Sequence, residues 1–96
     1  MKLIEPKYKI TASVICADVI DLEKELRLAK KGLADYLHFD IMDGMFVSRY
    51  GLYPEMLSSI KKKIDLPIEV HMMVENPEPY IKQLAEAGAS IISVHV

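Results

Sequence analysis

Apolar and polar positions along the chain switch between a period of two and a period of three to four, and each switch marks a predicted element. From Lys9 to Ser13 the sequence is short and β-friendly. The polar pair Asp18 and Asp21 then opens a segment whose Leu22, Leu26 and Ala29 fall on one helical face. Gly32 stands where a helix C-terminal glycine belongs, after Arg27, Lys30 and Lys31, whose charges suit the negative end of the helix dipole. Tyr36 to Ile41 alternates bulky apolar with polar residues and predicts a second strand, ended by the turn pair Asp43-Gly44. Pro54 begins a second helix with Met56, Leu57 and Ile60 at helical spacing, fading into Lys61-Lys62-Lys63. Pro67 restarts extended chain, and Ile68 to Met73 is the third strand. Asn76-Pro77 is expected to cap and start a third helix with Tyr80, Ile81, Leu84 and Ala85 as its buried face and Gly88 at its end. The β-branched run Ile91 to Val96 predicts a fourth strand.

Strands in strict alternation with helices are βα units, whose right-handed crossovers make neighbouring strands parallel. A weak internal echo agrees: Ala34 to Asp40 and Ala89 to His95 both follow a helix end and place polar residues at matching strand positions. A four-stranded parallel sheet left open would show water two unpaired edges and one uncovered face. The expectation is therefore an α/β fold, a TIM (β/α)8 barrel of which the chain covers about the first four βα units. Closure would come from the other half of the barrel or from the pairing of two copies, so a homo-oligomer is expected.

Composition narrows the function classes. With 96 residues the chain makes one domain, and 51% hydrophobic against 27% charged residues is a globular rather than a disordered balance. Twelve basic residues against 14 acidic ones give a net charge of −2, and the lysines are scattered over the helices, so nucleic acid is not an expected partner. The single cysteine, Cys16, has no partner for an internal disulfide, and Met1-Lys2-Leu3-Ile4-Glu5-Pro6 lacks the apolar core of a signal peptide. The cytoplasm is the expected location. No apolar run approaches the ~18 residues of a membrane span, so no membrane partner is expected.

The candidate chemistry comes from strand parity. Alternation puts His38, Asp40 and Met42 on one face of the second strand, with Leu37, Phe39 and Ile41 toward the helices. Glu69, His71 and Met73 turn inward on the third strand, and Thr11 and Ser13 on the first. In a barrel the carboxyl ends of the strands carry the chemistry. Two imidazoles and a carboxylate converging there form a site for one divalent metal ion, with zinc, iron, manganese and cobalt all compatible. Taken singly, each residue has a plainer reading. His38 and Asp40 alone are a hydrogen-bonded structural pair, Met42 and Met73 pliable filling, and Ser13 a small residue at a strand end. Glu69 is a paired structural charge, His95 a satisfied histidine and Asp43-Gly44 a turn. Agreement in face and end across three strands favours the metal site over these separate accounts.

Taken together, Ile10-Thr11-Ala12-Ser13-Val14-Ile15 with Ala17-Asp18, His38-Phe39-Asp40-Ile41-Met42-Asp43-Gly44 with Phe46-Val47, and Glu69-Val70-His71-Met72-Met73-Val74 with Pro77 resemble the ribulose-phosphate 3-epimerase family. The match runs in order from about residue 8 to residue 96 and ends with Gly88-Ala89 and Ser93-Val94-His95. The resemblance implies a ribulose-phosphate-binding barrel, with residues 1–96 as the N-terminal half of a single domain. It implies a metal-dependent epimerase inverting carbon 3 of a ketose phosphate through an enediolate, ribulose 5-phosphate to xylulose 5-phosphate, in the pentose phosphate pathway. His38, Asp40 and His71 would be metal ligands, and Asp40 also the catalytic acid/base on one face of the sugar. Ser13, Met42, His71 and Met73 would contact the substrate. The family's fourth ligand, an aspartate serving as the opposite acid/base, and its phosphate-holding loops belong to the second half of the barrel.

The chain departs from the family pattern at two places. After the Asp-Gly turn it reads Met45-Phe46-Val47-Ser48-Arg49 where His-Phe-Val-Pro-Asn is usual, and Gly32-Leu33 stands where Ala-Gly is expected. The first departure lies over the substrate, which keeps allulose 6-phosphate as a rival sugar. The Asp-x-Lys-x-x-Asp pattern of related decarboxylases occurs on neither the second nor the third strand. A third reading, a half-barrel that retains the motifs without turnover, belongs to a different class.

Overall fold

A computed structural model of the chain describes residues 8–96. The opening Met1 to Pro6, read above for a signal sequence, lies outside the described residues. In chain order the elements are β1 (Thr11–Ser13), α1 (Leu22–Lys31), β2 (Tyr36–Met42), α2 (Pro54–Lys63), β3 (Ile68–Met73), α3 (Glu78–Ala87) and β4 (Ala89–Val94). The strands form one sheet in the order β1-β2-β3-β4, with every neighbouring pair parallel. Consecutive strands lying side by side with a helix in each of the three connections are the arrangement of four successive strands of a (β/α)8 barrel, roughly half of it.

Alternation along the central strands sorts the two faces. Leu37, Phe39 and Ile41 of β2 and Ile68, Val70 and Met72 of β3 are buried, and they meet Leu26 of α1, Leu57 and Ile60 of α2 and Leu84 of α3 in one apolar cluster. At ~1.5–3 kcal/mol for each fully buried large apolar side chain, this helix-side layer supplies the main driving force for folding. The other face carries the half-buried His38, Glu69, His71 and Met73.

Several boundaries differ from the sequence expectation, each for a local reason. β1 is shorter than Lys9 to Ser13 because Ile10 is tied instead to Asp35, whose carboxylate accepts from the Ile10 amide at 2.8 Å. Before α1, Asp18 caps a single 3-10 turn at Val19–Asp21 by accepting from the Ile20 amide, and Glu25 reaches back to the Asp18 amide at 2.8 Å. At the end of α1, Gly32 has an ordinary φ of −78°, and Leu33 takes the left-handed conformation at φ 69°. α3 starts at Glu78 with Pro77 at the cap position and no side-chain cap, so Asn76 does not cap it as expected. Of its expected buried face only Leu84 is buried, while Tyr80, Ile81 and Ala85 remain exposed. That helix packs on α2 and on β4.

β4 begins two residues earlier than Ile91, because Gly88 at φ 116° turns the helix end directly into extended chain. The pairing then slips by one residue, from Ile68↔Ala89 to Glu69↔Ile91, which leaves Ser90 unpaired. From there Ile91 and Ser93 share the face of Glu69 and His71. Among the described residues, no helix is long and apolar enough to cross a membrane.

Candidate metal centre

Register and parity bring the polar residues into adjoining rows on the open face. Ser13 pairs with His38 and His38 with Glu69; Asp40 pairs with His71, and Met42 with Met73 toward the carboxyl ends. Within this grid Asp40 Oδ1 lies 2.9 Å from His38 Nε2 and 3.5 Å from His71 Nδ1. The three donor atoms all lie within 4.8 Å of one another. Metal–ligand bonds of ~2.1 Å place neighbouring donors about 3–3.5 Å apart, so the two contacts of Asp40 already have nearly the spacing of donors around one ion. The site can chelate a divalent cation, and its chemistry does not select among the first-row metals.

Electrostatics agree with this geometry. Asp40, 8% exposed, is the one buried charged residue among those described. Burial opposes a positive charge on His38, but the hydrogen bond it donates to Glu69 and the negative charges of Asp40 and Glu69 outweigh it and raise the imidazole above its ordinary value. The two carboxylates thus favour a positive charge between them. A divalent cation held there would supply it.

Both imidazoles have a second partner. His38 Nδ1 lies 2.7 Å from Glu69 Oε1, and His71 Nε2 lies 2.8 Å from His95 Nε2. Glu69 is therefore the paired charge the sequence led us to expect, level with His38 in the ladder. His95 is satisfied as expected, with a histidine of the triad as its partner. The ring of Phe46 stacks obliquely on His95, with centroids 5.0 Å apart.

The loop carrying Phe46 is built on Asp43. The Asp43 carboxylate accepts from the amides of Met45 and Phe46 at 2.8 Å each and of Glu75 at 2.9 Å, so it fastens the β2–α2 loop to the β3–α3 loop. The Glu75 amide leads in holding the Asp43 carboxyl below its ordinary value, burial opposes it, and the Met45 and Phe46 amides add to it. The loop then doubles back along β2, where the Gly51 amide donates to the Met42 carbonyl and the Leu52 amide to the Asp40 carbonyl. A Cβ at Gly51 would come within 2.7 Å of backbone atoms of Met42 and Asp40, so only glycine allows this approach.

Sequence reasoning treated Asp43-Gly44 as a turn, and Gly44 does adopt φ 76° there. It did not find the bond to Glu75 or the role of Gly51, for which an isolated glycine in a long loop was the available signal. The half-buried Ser13, Met42 and Met73 surround the triad in register, whereas Arg49 is exposed on the loop.

Comparison with known proteins gives a consistent picture. A model of the ribulose-phosphate 3 epimerase family matches residues 9–96. A ribulose-phosphate 3-epimerase of Bacillus subtilis (strain 168) is 41% identical over 87 residues, 91% of this chain and 40% of its own length. One from Aquifex aeolicus (strain VF5) is 42% identical over 96 residues, all of this chain and 40% of its own length. A chloroplastic ribulose-5-phosphate-3-epimerase of Arabidopsis thaliana is 31% identical over 86 residues, 90% of this chain and 31% of its own length. The chain thus spans well under half the length of these curated relatives.

Proposed function

The chain belongs to the ribulose-phosphate 3-epimerase family, and from that premise we propose that it forms the N-terminal half of a barrel that inverts carbon 3 of a ketose phosphate, ribulose 5-phosphate to xylulose 5-phosphate. The observation that carries this reading is the placement of Asp40 Oδ1 between His38 Nε2 and His71 Nδ1 on the open face of adjoining strands. His38, Asp40 and His71 would hold a divalent ion, which would supply Lewis-acid stabilisation of the negative charge that builds on the substrate oxygens. Asp40 takes the proton from carbon 3, the electron pair moves into the neighbouring carbonyl as an enediolate, and a second acid/base returns a proton to the opposite face. That second group belongs to the other half of the barrel in the family. Met42 and Met73 wall the reacting centre with apolar surface, and Ser13 reaches the substrate from β1. The reading makes a small sugar phosphate the partner and the cytoplasm the setting.

Asparagine at position 40 keeps the shape of the side chain and loses the base. We expect Asp40→Asn to retain the fold, by circular dichroism, and to lose nearly all deuterium exchange at carbon 3. Exchange at the wild-type rate would remove Asp40 from its role. A second sugar, allulose 6-phosphate, stays in view because the loop Met45 to Arg49 departs from the family pattern where it overlies the site.

A further inference from the structure

The nitrogens of the triad that do not face Asp40 are both occupied, and by residues that are not themselves candidate ligands. His38 turns Nε2 to Asp40 and Nδ1 to Glu69, whereas His71 turns Nδ1 to Asp40 and Nε2 to His95. We propose that Glu69 and His95 are positioning residues of the metal centre, Glu69 fixing His38 as a ligand through Nε2 and His95 fixing His71 as a ligand through Nδ1. This assignment rests on the reading of His38, Asp40 and His71 as metal ligands.

A neutral imidazole has one N–H and one lone pair, and a metal needs the lone pair, so the partner at the other nitrogen selects the competent tautomer. A carboxylate only accepts, so Glu69 requires Nδ1 of His38 to carry the proton and leaves Nε2 free for a cation. Glu69 stands beside His38 in the β2–β3 ladder, so backbone register itself delivers the carboxylate.

His71 faces a less one-sided partner. If His71 Nε2 donates to His95 Nε2, the lone pair of His71 Nδ1 points toward Asp40, as a ligand must. If His95 donates instead, His71 carries its proton on Nδ1, where a cation cannot bind. His95 therefore has to serve as acceptor, with its own proton on Nδ1. Its ring is steadied for this by Phe46, on the loop that Asp43 ties to Glu75. The two histidines thus bind through unlike nitrogens, each set by a neighbour from a different strand or strand end.

The test uses Co²⁺ absorption titrations of the whole chain and nitrogen-15 ring spectra of the Zn²⁺-loaded chain. We expect wild-type spectra to show zinc on Nε2 of His38 and on Nδ1 of His71. Glu69→Gln, whose amide no longer dictates the tautomer, and His95→Ala should each weaken Co²⁺ binding by about 10- to 100-fold. His95→Gln, which restores an acceptor, should recover part of that loss. Variants that bind Co²⁺ within about twofold of wild type would overturn the assignment, since the hydrogen-bond partner of a ligating histidine is expected to matter more than that. Zinc on any other pair of nitrogens would overturn it too, even if a variant failed to fold. A wild-type chain that takes up neither metal would bring down the ligand reading itself, and this inference with it.

Discussion

Leu33 holds a left-handed conformation that costs a residue with a Cβ roughly 1–2 kcal/mol, and its side chain is 58% exposed and so recovers little of this by burial. Leu33→Gly should raise stability by about 1 kcal/mol, read from urea unfolding midpoints, and a lower midpoint would contradict this account of the helix end. Asp43 gives a pH dependence of known sign. Its folded value lies below the ordinary 3.8, so its contribution is complete above that value and is lost as pH falls through the lower folded one. Amide resonances of Phe46 and Glu75 should therefore move together only under acid conditions below about pH 3.8, and Asp43→Asn should abolish that step. A wild-type transition centred above the ordinary value would show that the loop is not fastened this way. The triad was legible at this scale because strand parity decides which side chains share a face. Glu69 and His95 as partners of its imidazoles were not, because ring orientation and lateral register are invisible to a one-dimensional pattern. Gly51 was missed for a similar reason, since its constraint is a close approach between segments that are not neighbours in a strand or helix.

Helices and strands were legible where a period was long and clean. All three helices and all four strands stand where the pattern put them, and the errors gather at ends. β4 starts early because a left-handed glycine needs no linker before extended chain, and the slip at Ser90 leaves no trace in composition. The apolar stripe of α3 was correctly seen as a stripe, but periodicity does not say what covers it. Leu84 is fully buried whereas Ile81 is 38% exposed, so truncation should separate them. Leu84→Ala should cost about 2–5 kcal/mol of unfolding free energy, and Ile81→Ala clearly less. Equal losses would mean that the outer flank of α3 is covered as well.

At the scale of the whole molecule, four parallel strands in sequence order leave β1 and β4 as the sheet edges among the described residues, and Ile91 and Val94 on β4 are 44% and 41% exposed. Unpaired backbone beside exposed apolar side chains favours association, so the chain should show a concentration-dependent dimer in sedimentation. A well-folded monomer at high concentration would contradict this. The family was legible from ordered motifs spread over the sheet, while the sugar was not, because the loop that overlies the site departs from the family pattern at Met45 to Arg49. The most direct test of the central claim is deuterium uptake at carbon 3 of ribulose 5-phosphate and allulose 6-phosphate in heavy water, with and without divalent metal. We expect metal-dependent uptake, faster on ribulose 5-phosphate. No uptake on either sugar by the metal-loaded chain would contradict the claim and leave these residues as a metal-binding half-barrel without turnover.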